Sequence, residues 1–80
     1  MLIRNSIKFY RLKKGITQVQ IAEILGISQP DFSFIETGER LANYETIKKI
    51  ADLCDVTVAD LYSDTVLTLL LENEKELVKK

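Results

Sequence analysis

Apolar residues recur along most of the chain at the three- and four-residue spacing of an α-helix, and no strand pattern appears. In the first segment, roughly residues 2–14, Ile3, Ile7 and Tyr10 form one apolar stripe. Gly15 follows at the position of a left-handed helix cap. The pattern therefore predicts an all-α chain whose first helix covers about residues 2–14.

Polar residues mark the starts of the next helices, because their side chains can accept hydrogen bonds from the free N–H groups of a first helical turn. Four of them stand directly before helical patterns: Thr17, Ser28, Asn43 and Thr57. These starts predict helices near residues 17–25, 28–36, 43–54 and 57–62. A sixth helix, over residues 64–79, is predicted to begin at Ser63 or Asp64.

Residues 17–36 have the spacing of two helices joined by a very tight turn. Gly26 ends the first helix and can adopt a positive φ without a Cβ penalty, and Ser28 starts the second helix two residues later. Ala22 is small where the helices must approach closely. Apolar residues at matching offsets supply a shared inward face: Ile21, Leu25, Ile27, Phe32 and Ile35. This combination is typical of a DNA-binding helix-turn-helix.

The run GITQVQIAEILGISQPDFSFIETGER, followed by NYETIKKIADLCDVTVADLY, resembles the Cro and phage-repressor (XRE-type) helix-turn-helix family over about residues 3–62. The resemblance implies a five-helix, lambda-repressor-like domain over residues 1–63, with helix 28–36 entering the major groove. It also implies sequence-specific binding of double-stranded DNA by a small transcriptional regulator. Repression is the simplest expectation, since a domain that occupies a promoter blocks polymerase without further parts.

The same resemblance assigns candidate contacts to DNA. Base contacts fall on the first turn of helix 28–36 and one turn later, at Gln29, Pro30, Ser33 and Phe34. Phosphate contacts fall on residues around both helices: Lys13, Lys14, Thr17, Gln18, Thr37, Arg40 and Asn43. Gln29 has the chemistry for a bidentate contact with adenine, and Phe34 for an apolar contact with a thymine methyl group. Arg11 and Glu36 are expected to form a structural ion pair.

Simpler alternatives stand beside these assignments. Gln29 could be a first-turn residue without a partner, and Phe34 could be covered by a neighbouring protein surface. Arg11 could bind phosphate instead of an acid. Lys13 and Lys14 could form an ordinary solvated helix end.

Charge is distributed unevenly along the chain, although the net charge is only −1. Residues 1–20 carry five basic residues and no acidic one, whereas residues 21–40 carry one basic and four acidic residues. One end of the domain is therefore a plausible phosphate-facing surface. Near the second helix of the motif the chain departs from the family pattern, with Asp31, Glu36 and Glu39 against Arg40 alone.

The C-terminal segment, residues 64–80, is predicted to be a dimerisation element. Its apolar residues cover a broad helical face, and exposed patches of this kind usually mark an interface. The predicted interface residues are Val66, Leu67, Leu70, Leu71, Leu77 and Val78. The alternative is a cover over helices 1 and 5 of the same chain. A homodimer would suit a palindromic operator.

The composition argues against several other classes. Without histidine and with Cys54 as its one cysteine, the chain is not expected to bind a metal or cofactor or to act as an enzyme. It has no room for an effector domain, so no small-molecule effector is expected. Cys54 is expected to be a buried apolar residue. No membrane span or signal peptide is recognisable, which favours a cytoplasmic protein. An antitoxin-like or adaptor module with the same fold is the alternative function.

Overall fold

The computed structural model describes residues 3–78, with side chains described from Ile3 to Glu72. Over that range the chain forms six α-helices and no strand, which confirms the predicted fold class. In chain order the helices are α1 (Ile7–Lys14), α2 (Gln18–Leu25), α3 (Gln29–Thr37), α4 (Tyr44–Cys54), α5 (Val58–Leu61) and α6 (Asp64–Val78). Among these described residues, none of the helices combines the length and apolar character that a bilayer crossing demands.

The starts of α2 to α5 follow from local side-chain chemistry. At each start the polar side chain accepts a hydrogen bond from the N–H group three residues later, at 2.9 to 3.2 Å. The four residues are the predicted ones: Thr17, Ser28, Asn43 and Thr57. Each bond satisfies an N–H group that has no partner within its own helix, so each cap fixes where its helix begins.

The predicted start of α1 at residue 2 is wrong, because the helix begins at Ile7. Asn5 is the reason: its Oδ1 accepts the N–H of Ile7 at 3.0 Å, while its Nδ2 donates to the carbonyls of Ile35 and Glu36, each at 3.2 Å. The N–H of Ile3 donates to the carbonyl of Gly38 at 2.8 Å. Residues 3–6 therefore follow the C-terminal end of α3 instead of extending α1.

The core lies where α1, α2, α3 and α4 meet, and it contains most of the predicted inward positions. Its fully buried large side chains are Ile7, Ile21, Phe32, Ile47, Ile50 and Leu61. Ala22 is also buried, as expected for the close approach of α2 and α3. Cys54 is buried in the same core, and its burial raises the pKa of the thiol, so the side chain packs as a small neutral group.

The first half of α6 packs against the core of its own chain. Leu70 is only 5% exposed, and Val66 and Leu67 are partly buried against the same cluster. Leu70, one of the predicted interface residues, is therefore packed in the core of its own chain, because α6 lies across α4. Leu71 and Leu69 stay at the surface, with 43% and 55% of their area exposed. The side chains of the other two predicted interface residues, Leu77 and Val78, lie outside the described residues.

Gly38 provides a test of how the N-terminal segment is held. Its φ is +89°, and a Cβ atom there would overlap the carbonyl of Ile3. Gly26 also has a positive φ, +73°, but open space surrounds it. We expect Gly26→Ala to lower the free energy of unfolding by about 1–2 kcal/mol, the cost of a left-handed non-glycine residue. Gly38→Ala should cost clearly more, because backbone atoms must also move.

Urea unfolding monitored by circular dichroism gives the free energy of unfolding of both variants. Equal losses would show that the contact between Gly38 and Ile3 is not rigid.

Candidate nucleic-acid interface

The turn between α2 and α3 brings the start of α3 to the surface. Gly26 caps α2 in the left-handed conformation, and its N–H donates to the last turn of that helix. Ser28 then caps α3, with Pro30 in the first turn, where an N–H would have no intrahelical partner. As a result Gln29 and Pro30 are exposed, while Phe32 points into the core.

A buried ion pair joins α1 to α3. The Nε of Arg11 donates to Oε2 of Glu36 at 2.6 Å, and Nη2 of Arg11 donates to Oε1 at 3.1 Å. The two side chains are only 6% and 5% exposed. The Nη1 of Arg11 donates to the carbonyl of Ile16 at 2.7 Å, which adds the α1–α2 loop to the same site. The guanidinium thus fixes three segments relative to one another.

Two glutamines extend this pair to the surface. The Nε2 of Gln18 donates to Oε1 of Glu36 at 2.9 Å, and the Nε2 of Gln29 donates to Oε1 of Gln18 at 2.9 Å. Gln18 is half-buried and Gln29 is exposed. The four residues Arg11, Glu36, Gln18 and Gln29 therefore form one hydrogen-bonded chain, called the amide relay below, that runs from the interior to the first turn of α3.

The direction of the amide relay follows from the chemistry of its inner end. A carboxylate only accepts hydrogen bonds, so Gln18 must turn its NH₂ group towards Glu36. Its carbonyl oxygen then faces Gln29, which must donate in turn. Gln29 is left with its Oε1 as an acceptor and its second N–H as a donor. The buried charge of Glu36 thereby determines which polar groups the exposed amide presents.

The remaining predicted base contacts lie on the outer side of α3. Ser33 is half-buried, and Phe34 is 46% exposed with its ring at the surface. The carbonyl of Phe34 accepts hydrogen bonds from the hydroxyl of Thr37 at 3.2 Å and from the N–H of Arg40 at 3.1 Å. These bonds satisfy the end of α3 and turn the following loop back towards it.

The predicted phosphate contacts are placed around the two helices, and several already have partners. Nζ of Lys14 lies 3.3 Å from Oδ2 of Asp55, whereas Lys13 is exposed. The hydroxyl of Thr17 and the Oδ1 of Asn43 are used as helix caps. Thr37 and Arg40 are exposed, and Nη1 of Arg40 lies 3.1 Å from Oδ1 of Asp31.

Comparison with known proteins fits this geometry. The family profile described as "Helix-turn-helix" matches residues 7–61. The chain belongs to the helix-turn-helix family. That match covers α1 to α5, and therefore every residue of the amide relay.

Two curated proteins have sequences similar to this chain. An uncharacterised HTH-type transcriptional regulator of Bacillus subtilis (strain 168), YqaE, is 32% identical over 57 residues, which is 71% of this chain and 49% of that protein. The HTH-type transcriptional activator BcrR of Enterococcus faecalis is 34% identical over 74 residues, or 92% of this chain and 36% of that protein. The chain thus spans half or less of the length of these relatives.

A solved structure is also similar. The crystal structure of a candidate DNA-binding protein from Bacteroides fragilis matches with a TM-score of 0.68 and 26% identity. The match covers 76% of this chain and 97% of that one.

Sequence reasoning missed two parts of the site of this helix-turn-helix protein. The hydrogen bond between Gln18 and Gln29 joins residues 11 positions apart. The bonds from Asn5 to the end of α3 span 30 and 31 positions. No local pattern marks such contacts. The only available signal is that glutamines begin both α2 and α3, which the tight turn brings together.

Removing the inner acid tests whether the ion pair holds the site together. Glu36→Gln leaves the buried guanidinium of Arg11 without a counter-charge, so we expect a loss of about 3–5 kcal/mol in the free energy of unfolding. Arg11→Met leaves the carboxylate of Glu36 unpaired in the same way. The double variant Arg11→Met, Glu36→Gln removes both charges and should lose much less stability than the two single variants added together. Denaturant unfolding of the three variants measures this coupling. Additive losses would mean that the pair contributes no specific interaction.

Proposed function

We propose that this helix-turn-helix protein is a transcriptional regulator that binds double-stranded DNA in a sequence-specific manner, with α3 in the major groove. In this proposal it acts as a repressor, as a homodimer on a palindromic operator. The observation that carries the proposal is the amide relay, which presents a fixed donor and acceptor on the exposed first turn of α3. Of the two curated relatives, one is named a transcriptional regulator and the other a transcriptional activator, and family membership supports a role in regulating transcription.

The groups that Gln29 presents suit adenine. In the major groove adenine offers the N6 amino group as a donor and N7 as an acceptor, whereas guanine offers two acceptors, O6 and N7. An amide with one free oxygen and one free N–H complements adenine. Phe34, on the outer side of α3, can add contact with a thymine methyl group. Pro30 and Ser33 complete the proposed base-facing surface.

Phosphate contacts surround this surface. The N-terminus of α2 carries the partial positive charge of a helix end, which favours an anion beside Thr17 and Gln18. Lys13 is exposed at the end of α1 and has no acidic neighbour on that helix. Thr37 and Asn43 flank the loop after α3, and Arg40 lies in that loop. This arrangement would let one protomer grip both strands beside the groove.

The main test is binding of a short DNA duplex of mixed sequence, measured by fluorescence anisotropy at several salt concentrations. Contacts with several phosphates make the logarithm of the binding constant fall steeply with the logarithm of salt concentration. Selection from random sequence should then enrich one motif that contains adenine. An absence of DNA affinity at about 50 mM salt, where phosphate contacts are strong, would contradict the proposal.

Gln29→Ala tests base readout. It should cost about 1–3 kcal/mol at one base position and relax the preference for adenine there. Lys13→Ala is the comparison variant, since loss of a phosphate contact outside the amide relay should lower the affinity for all sequences alike. Uniform loss for Gln29→Ala would assign that residue to phosphate contact instead.

The outer side of α6 is proposed as the dimer contact. Val66, Leu67 and Leu70 face the core of their own chain, so among the described side chains of α6 the exposed apolar surface is formed by Leu69 and Leu71. Two copies joined through these outer leucines would present two α3 helices to one DNA duplex. Recognition helices about 34 Å apart match successive major grooves on one side of DNA.

Leu69→Glu together with Leu71→Glu should convert a dimer into a monomer, because burying four carboxylates at one contact is unfavourable. Analytical ultracentrifugation at micromolar concentration measures the change. Thr68→Glu, on an exposed neighbouring position, is the matched control. A truncation after residue 63 is a poorer test, since it would also remove Leu70 from the core. A monomeric unaltered chain would overturn the dimer.

A protein-interaction module is the second candidate function. Apolar side chains of α1 and α2 are exposed at 53–63%: Phe9, Leu12, Val19 and Ile24. An antitoxin-like or adaptor protein could use these side chains, together with Phe34, to hold another protein. Such binding would depend little on salt, so the anisotropy experiment above also separates the two functions.

A further inference from the structure

Arg40 is the only basic residue from Gly26 to Asn43, which is the stretch that contains α3 and the following loop. Three acidic residues share this stretch: Asp31, Glu36 and Glu39. Glu36 is buried and paired with Arg11. Within this stretch, the exposed charges are therefore those of Arg40, Asp31 and Glu39.

Arg40 already has an acidic partner on α3. Its Nη1 lies 3.1 Å from Oδ1 of Asp31, with the two side chains 57% and 46% exposed. The carboxylate of Asp31 could instead have turned back to its own helix cap. Asp60 does so at the corresponding position of α5, where it accepts the N–H of Thr57 at 3.0 Å. At α3 the carboxylate is directed towards Arg40.

We propose that Asp31 competes with DNA phosphate for Arg40, and so limits the sequence-independent part of DNA affinity. This inference rests on the proposed function. An exposed ion pair contributes little to folding, so its main consequence is for binding. While the pair persists, the phosphate contact proposed for Arg40 is weakened. If Arg40 moves to a phosphate, the charge of Asp31 is left unpaired beside the anionic backbone.

The competition makes specific binding more dependent on base contacts. Phosphate contacts supply most of the affinity for any sequence, whereas base contacts distinguish one sequence from another. A protein that withholds Arg40 from phosphate binds all DNA less strongly. Contacts by Gln29 then account for a larger share of the remaining affinity. Asp31 is in this sense a specificity-determining residue that need not touch a base.

The test is a double-variant cycle of Asp31→Asn and Arg40→Gln, with anisotropy on the mixed-sequence duplex as the readout. Asp31→Asn should raise the affinity on the order of tenfold at about 0.1 M salt and steepen the salt dependence by about one phosphate contact. Arg40→Gln should lower the affinity in both backgrounds, by about threefold in the unaltered protein and on the order of tenfold in the Asp31→Asn background, because Arg40 is fully available to phosphate only there. Glu39→Gln removes the same charge from the same region and should leave the salt dependence unchanged.

Each outcome decides between the possibilities. An equal effect of Arg40→Gln in both backgrounds would show that Asp31 does not compete for Arg40. If Asp31→Asn and Glu39→Gln changed the affinity and its salt dependence equally, the effect would come from net charge alone, and the inference would also be overturned. Asp31→Ser serves as a second variant if Asp31→Asn melts at a lower temperature. Failure of all variants to bind DNA at low salt would instead refute the proposed function itself.

Discussion

The ion pair between Arg11 and Glu36 determines the rest of the structure around α3. Both charges are almost fully withdrawn from water, which costs several kcal/mol for each ion unless every polar atom finds a partner. The partners are present: the guanidinium also donates to the carbonyl of Ile16, and the carboxylate also accepts from Gln18. Since these bonds come from α1, the following loop, α2 and α3, the site is satisfied in one arrangement of the four segments.

That arrangement also determines which hydrogen-bonding groups the surface of α3 presents. Burial decreases along the amide relay, from Glu36 through Gln18 to Gln29, which is exposed. Each member restricts the next, because a carboxylate cannot donate and an amide has one end that accepts and one that donates. The polar groups offered at the surface are therefore determined by a charge in the interior. A side chain that would otherwise rotate freely is preorganised for one hydrogen-bonding pattern, and this reduces the entropy lost when it binds.

The parts predicted from sequence are those that depend on neighbouring residues. Helix starts at Thr17 and Ser28 are examples, since a cap needs only its own side chain and an N–H three residues later. The start of α1 was not predictable in this way, because Asn5 bonds to α3 about 30 positions away. The orientation of α6 was not predictable from local sequence either. Its pattern indicates an apolar face, but only packing shows that Leu70 is covered by its own chain. The ion pair between Arg11 and Glu36 was predicted only from the resemblance to the helix-turn-helix family.

Two of the three acidic residues in and just after α3 have separate roles, and neither is simply an obstacle to binding an anion. Glu36 is neutralised inside the protein, and its charge serves to orient Gln18 and Gln29. Asp31 is neutralised at the surface by Arg40. The first charge acts on geometry, the second on the availability of a cation. A net charge close to zero is therefore compatible with the proposed nucleic-acid surface, because the distribution of charge around α3, and not its sum over the chain, governs the approach of a phosphate backbone.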